Sequence, residues 1–343
     1  MKRLGYLFEK VIDEDNLRLA FINAAKGSSK RKKAKFYLDN IDAFIPLLKS
    51  LFVNDSFQPL VRNRFIIQEK LSNKVRKISS CRFFPDLVVQ HALFQVLEKD
   101  VILKGSYPYS VASIKGRGIR CGKEYLEKVL KKNRARYCLK LDISKYYDSI
   151  NPSILYGFIE KKIKDVKVLS ILKKIIFVQE KGIPIGFYSS QKFSELYLQS
   201  FDHFVKEELD IKYYVRYCDD LVLIDSNRRK LLKSLDRIIE FLNNLGLKIK
   251  DNWLLFRIDD ENGVDFLGFK FFKSKTSIRK RIWKNIRRCL LDLKVRFWSL
   301  KLLQRFFSYW GYIKNSNCFY IKNFYLKNIR FEILKERIAS YGA

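Results

Sequence analysis

Two adjacent carboxylates, Asp219 and Asp220, interrupt an apolar stretch of β-branched and aromatic residues, and this interruption constrains the chain more than any other feature. Residues 211–218 and 221–224 read as short strands. Only Asp219 and Asp220 stand between them, so the expected connection is a two-residue hairpin with two negative charges at its tip. Like charges so close are costly unless a cation neutralises them. Asp is also an ordinary turn residue, so the pair alone does not separate a metal site from a plain turn.

A second acidic element points to the metal site. Residues 137–144 read as another strand that ends on Asp142 and enters a helix-like stretch, with Ser144 as its expected cap. A carboxylate at that strand end can meet a hairpin tip on a neighbouring strand. Three carboxylates converging at strand ends suit a hard, oxygen-seeking ion such as Mg²⁺. Such a cluster can hold two ions roughly 3.5–4 Å apart, one at the attacking hydroxyl and one at the leaving phosphate. The backbone carbonyl of Ile143 is the expected extra oxygen ligand.

With these residues in view the chain resembles the reverse transcriptases. Asp142-Ile143-Ser144-Lys145-Tyr146-Tyr147-Asp148-Ser149-Ile150 is similar to their motif A, and Tyr217-Cys218-Asp219-Asp220 to motif C. Ile183-Pro184-Ile185-Gly186-Phe187-Tyr188-Ser189-Ser190-Gln191 resembles motif B, Leu245-Gly246-Leu247-Lys248 motif D, and Phe266-Leu267-Gly268-Phe269 motif E. In relatives a Lys often follows the motif D Gly by several residues. Here Asn252 and Trp253 stand near that place, which leaves the serving Lys open.

Motif B departs from the commoner pattern, which has Gln before the Gly and Pro after the Ser. This chain has Ile185-Gly186 and Ser190-Gln191, and so resembles the enzymes of diversity-generating retroelements. Ser106-Tyr107-Pro108-Tyr109-Ser110 with Lys115-Gly116-Arg117-Gly118 is similar to their fingers, and Ser308-Tyr309-Trp310-Gly311-Tyr312 to their thumb. The N-terminal Leu7-Phe8-Glu9-Lys10, followed by Asn16-Leu17 and a basic helix, agrees. The resemblance implies an α+β right-hand polymerase that makes adenine-mutagenic cDNA from a template-repeat RNA, using two Mg²⁺ ions and deoxynucleoside triphosphates. It also implies a small basic pentameric accessory protein as partner. Expected boundaries are a basic helical extension over 1–60, fingers over 61–140, a palm over 141–272 with inserted helices at about 150–185, and a helical thumb over 273–343.

The same resemblance distributes roles. Asp142 and Asp219 would bridge the ions and Asp220 would complete the site. Arg76 would grip triphosphate oxygens bidentately, beside Lys145, Tyr146, Tyr147, Ile185 and Gly186. An aromatic ring five positions after Asp142 fills the space a ribose 2′-hydroxyl needs, which makes Tyr147 the steric gate, with Tyr146 as the alternative. Ile185 offers shape where Gln would offer a hydrogen bond, and this loss implies low fidelity opposite template adenines. Tyr217, Cys218, Phe266, Leu267 and Gly268 would support the primer end. Arg281, Lys284 and Arg288 form a basic stripe opposite Ile282, Ile286, Leu290, Leu293 and Phe297, suited to a duplex backbone or to solvent.

Composition agrees with a polyanionic partner. The 343 residues carry 69 Lys and Arg against 36 Asp and Glu, a formal net charge of +33. The basic run at residues 26–35 suits a solvated loop or an RNA contact equally. No signal peptide or spanning helix is expected. Six cysteines without a CxxC spacing and only two histidines argue against a zinc site or a disulfide framework and fit a reducing cytoplasm. A helix is expected to begin at Pro85, and His91 and His203 read as packing or capping residues rather than catalysts. A retron or intron-type enzyme of ordinary fidelity shares the palm chemistry, and a catalytically idle RNA-binding or defence protein is the rival from another class.

Overall fold

The structure is a computed structural model describing residues 3–26, 32–68, 75–295, 298–317 and 331–340. The first strands, β1 (Asn63–Gln68) and β2 (Val75–Ser80), form a two-stranded antiparallel ribbon. The central sheet contains β3 (Tyr137–Asp142), β4 (Tyr213–Tyr217), β5 (Asp220–Asp225) and β6 (Leu254–Arg257) in the order β4-β5-β3-β6, all antiparallel. A smaller antiparallel sheet joins β7 (Val264–Phe266), β8 (Phe269–Phe271) and β9 (Thr276–Ile278). The mixture of helices and antiparallel sheets is the α+β class the sequence predicts.

Strand alternation divides the core. Leu139, Leu141, Leu221, Leu223 and Tyr214 face a large core shared with helices Glu14–Ala25, Val88–Leu97, Val166–Ile176, Tyr188–Tyr197 and Arg228–Asn244. Cys138, Val215, Val222 and Ile224 point the other way, into a second core with helix Ile119–Leu130 and the small sheet. A third core, including Ile282, Ile286, Leu290, Leu303 and Phe306, is built by helices Lys280–Val295 and Leu300–Lys314 with Leu334. Among the described residues no helix is long and apolar enough to cross a membrane.

Several local expectations shift. The hairpin tip is Cys218-Asp219, not Asp219-Asp220, because Tyr217 pairs with Asp220 and draws it into β5. Cys218 takes the left-handed conformation, with φ 56°, that such a turn demands. Ser144 does not cap the next helix, Tyr146–Ser149; Lys145 does so with φ 44° and no side-chain bond. Instead the Ser144 N–H donates to the Lys248 carbonyl at 2.7 Å. The helix expected to begin at Pro85 does so: Phe84 is extended, with φ −118° and ψ 135°, and the helical backbone runs from Pro85 into Val88–Leu97. Residues 27–31 of the basic run at 26–35, and Phe297, lie outside the described residues.

Candidate active site

Cross-strand register brings the carboxylates together. Asp142, the last residue of β3, stands directly opposite Asp220, the first of β5, and both side chains share the sheet face that carries Lys140. The Ile143 N–H donates to the Asp219 carbonyl at 3.0 Å, which ties the turn to the strand carrying Asp142. Asp220 Oδ1 is buried without a hydrogen-bond partner, and Lys140 Nζ lies 3.7 Å away. Burial pushes the Asp220 carboxyl up to about 7; Lys140 opposes the rise, while the charges of Asp142 and Asp219 add to it.

Lys250 was not singled out by the sequence. Its ammonium forms an ion pair with Asp142 Oδ1, and its N–H donates to the Asp142 carbonyl at 2.9 Å. It lies four residues beyond Gly246, whereas Asn252 and Trp253 are exposed and do not line the cleft. A basic residue soon after that glycine was the available signal; the bridge pairing Ile249 with Ile143 brings it to Asp142.

Beside these groups opens a cleft of about 710 Å³, whose lining includes Asp219 and Lys250 but not Asp142 or Asp220. Asp219, Tyr217, Cys218, Lys145, Tyr146, Tyr147, Asp148, Ile185 and Lys250 line it, with Val75, Lys77, Ala112 and Ser113 across the opening. The two tyrosines separate cleanly. Tyr146 is 3 % exposed and its hydroxyl donates to the Ser194 carbonyl at 2.5 Å, so its ring is committed to the core. Tyr147 is half-buried at the wall, 3.5 Å from both Ser194 Oγ and Cys218 Sγ.

Ile185 and Gly186 are held by the β-ribbon. The Ser79 N–H donates to the Ile185 carbonyl at 2.7 Å, and Gly186 has φ 116°. A Cβ on Gly186 would stand 2.3 Å from the Ser79 carbonyl oxygen, so only glycine fits this approach. Arg76 pairs with Ile67 in the same ribbon, and its side chain lies outside the described residues.

Other expected site residues sit apart from the cleft lining. The Phe266 side chain is fully buried in the second core. Leu267 and Gly268 form the β7–β8 turn with φ 53° and 84°. Arg281, Lys284 and Arg288 are exposed on helix Lys280–Val295, opposite Ile282, Ile286 and Leu290. His91 stacks on Tyr188 at 4.1 Å, and burial lowers its pKa to about 4. His203 contacts Glu207 Oε1 at 2.6 Å and the Gly105 carbonyl at 2.9 Å.

The donor set fits hard divalent ions in type but not as a finished cage. Carboxylates opposite one another and a buried carboxylate oxygen lacking a partner are the right chemistry. Yet among the described residues no group of three or more His, Cys, Asp or Glu side chains is assembled closely enough to hold a metal, and Lys250 engages Asp142.

The description "Reverse transcriptase (RNA-dependent DNA polymerase)" matches residues 67–271, more than half of the chain. Protein YkfC of Escherichia coli (strain K12) is 21 % identical over 285 residues, covering 68 % of this chain and 72 % of YkfC. An apo telomerase from Candida Tropicalis truncated from its C-terminal domain matches with 16 % identity and a TM-score of 0.47, covering 68 % of this chain and 59 % of the telomerase. The Candida Tropicalis telomerase with a TWJ fragment of telomeric RNA matches with 14 % identity and a TM-score of 0.48, covering 86 % and 61 %. The chain thus spans about three-fifths of these solved structures. By the match across motifs A to E, this chain belongs to the reverse transcriptase family, the RNA-dependent DNA polymerases.

Proposed function

We propose that this chain synthesises error-prone cDNA on a template-repeat RNA, as the diversity-generating retroelement enzymes do. The observation that carries the polymerase reading is Asp142 set opposite Asp220, with Asp219 on the adjoining turn and Tyr147 and Ile185 in the cleft wall. Two Mg²⁺ ions, when bound, supply charge neutralisation at the reacting phosphates and favour a deprotonated primer 3′-hydroxyl. Asp142, Asp219 and the Ile143 carbonyl would hold them, and Asp220 would complete the site. Lys145 and Arg76 bind the triphosphate of the incoming deoxynucleotide. Lys250, freed from Asp142, places an ammonium beside the leaving group.

Tyr147 excludes the 2′-hydroxyl, since the hydroxyl of Tyr146 is spent on the Ser194 carbonyl. Tyr217, Cys218, Leu267 and Gly268 lie against the primer, and Arg281, Lys284 and Arg288 follow the backbone of the RNA–cDNA hybrid. Residues 1–60, 61–140, 141–272 and 273–343 act as extension, fingers, palm and thumb in a bacterial or phage-infected cytoplasm. Ile185 supports the low-fidelity reading. Losing a positioning hydrogen bond costs about 1–3 kcal/mol, or roughly one to two orders of magnitude in discrimination.

The test is cDNA synthesis on a defined RNA with Mg²⁺ and four deoxynucleotides, with and without the basic pentameric accessory protein, followed by sequencing. Errors clustered at template adenines are expected, and Ile185→Gln should reduce them about tenfold or more. Asp142→Ala and Asp219→Ala should abolish extension while the melting transition persists. Accurate synthesis by the unaltered chain would move it to a retron or intron role. Extension by either Asp variant would overturn the metal assignment, and ribonucleotide incorporation would overturn the role of Tyr147.

A further inference from the structure

A second cleft, of about 890 Å³, opens at the opposite end of the central sheet. Tyr137, the first residue of β3, lines it, whereas Asp142 ends the same strand five residues on, roughly 17 Å away at strand rise. Five cations converge there from three separate segments: Lys131, Lys132 and Arg136 after helix Ile119–Leu130, Arg257 at the end of β6, and Lys273 after β8. All five are exposed, no acidic residue among the described residues lines the cleft, and none of the five forms an ion pair with another described residue. Asp259, two residues past Arg257, turns its carboxylate to the N–H groups of Glu261 and Asn262 at 3.0 and 2.6 Å.

Such a concentration of positive charge, offset only in part by Asp259 near Arg257 and by Glu124 and Glu127 in the pocket beside Lys131 and Lys132, is self-repelling, and a polyanion relieves it. A single phosphate is satisfied by two or three cations, whereas five spread over three segments match successive phosphates of a nucleic-acid backbone. Among the described residues Tyr137 is the one aromatic side chain in the lining, so they offer no row of stacking platforms of the kind that single-stranded bases use. We propose that this cleft is an RNA-anchoring site, which holds the phosphodiester backbone of a folded, uncopied part of the template RNA away from the polymerising cleft. The choice of RNA rests on the proposed function; the phosphodiester chemistry does not.

The test uses the full chain and a blunt RNA hairpin, with binding measured by fluorescence anisotropy from 50 to 300 mM salt. Lys131→Ala, Lys132→Ala and Arg136→Ala together should weaken binding about tenfold at low salt. The slope of log K against log salt should become shallower by about 2 to 3, because each lost phosphate contact removes roughly 0.7–0.9. A control triple, Arg228→Ala, Arg229→Ala and Lys233→Ala, should change the slope by less than about 1. Extension of a minimal primer–template duplex should be unchanged in the cleft variant, which separates this outcome from failure of the polymerase reading. Equal slopes for the two triples would overturn the site, and an equal loss on a DNA hairpin would overturn its assignment to RNA.

Discussion

Asp220, opposite Asp142 at the end of the central sheet, has its Oδ1 buried at an energetic cost. Its carboxyl rises from 3.8 to about 7 because burial disfavours the charge, with Asp142 and Asp219 adding repulsion. An acid whose folded pKa lies above its unfolded value binds a proton more tightly in the native state. The stability it contributes is therefore present below about pH 4 and lost as pH rises from about 4 through about 7. Asp220→Asn should remove this dependence and raise stability at pH 8 by about 1–3 kcal/mol, against little change at pH 4. Thermal melts at the two pH values measure it; a variant that tracks the unaltered chain at both would show that the buried Oδ1 carries no such cost. Millimolar Mg²⁺ should raise the melting temperature of the unaltered chain at pH 8 and leave the Asn variant less responsive, since a bound ion stabilises the ionised site.

At the scale of elements, the β4–β5 hairpin is fixed from beneath by a buried ionic network. Arg216, fully buried in β4, donates to Asp202 at 2.8 and 2.6 Å and to Glu195 at 3.2 Å, while a further guanidinium nitrogen reaches the Cys218 carbonyl at 3.3 Å. Ser110 Oγ donates to Glu195 Oε2 at 2.6 Å, and the Tyr214 hydroxyl to Asp202 Oδ1 at 2.7 Å. The turn carrying Asp219 is thus braced against helices Tyr188–Tyr197 and Gln199–His203. Arg216→Met leaves two buried carboxylates without their cation and should cost about 3–5 kcal/mol in urea unfolding. Adding Asp202→Asn and Glu195→Gln should recover part of that loss, and a strictly additive triple would contradict a coupled network. None of this network was legible in the sequence, where an Arg in a short strand reads as a solvated charge. The carboxylates were legible because they are local, set by strand alternation and turn chemistry. The turn position was one residue off because register comes from the Tyr217–Asp220 pairing, and Lys250 escaped notice because its meeting with Asp142 is made across 108 residues. Tyr146 and Tyr147 are neighbours in sequence and both line the cleft, and only packing decides that the Tyr146 ring is buried with its hydroxyl on the Ser194 carbonyl while Tyr147 stays half-exposed.

For the whole molecule, the β7–β8 turn is the joint between the second core and the helical core of residues 278–313. The Gly268 carbonyl accepts from the Arg279 N–H at 3.0 Å, Arg279 Nε donates to Asp265 at 2.7 Å, and Phe269 meets Tyr312 with ring centroids 5.3 Å apart. Gly268 has φ 84°, and a Cβ there would fall 2.7 Å from Tyr312 Cε1 and 2.8 Å from Ile282 Cδ1. Sequence reading placed a close backbone approach at this glycine; what approaches it are Ile282 and Tyr312, from helices Lys280–Val295 and Leu300–Lys314. Gly268→Ala must therefore strain the turn or push those helices away, at about 1–3 kcal/mol. Because the helical core has its own buried side chains, the disturbance should stay there: amide exchange should quicken around Ile286, Leu290 and Phe306 and remain slow around Leu139 and Leu223. If the helical core holds the duplex as proposed, loosening it leaves the carboxylates in place and weakens that hold. Single-nucleotide addition should then survive while the mean product length falls several-fold. Equal acceleration of exchange in both cores, or shortened products without any change in exchange, would show that the turn is not the joint.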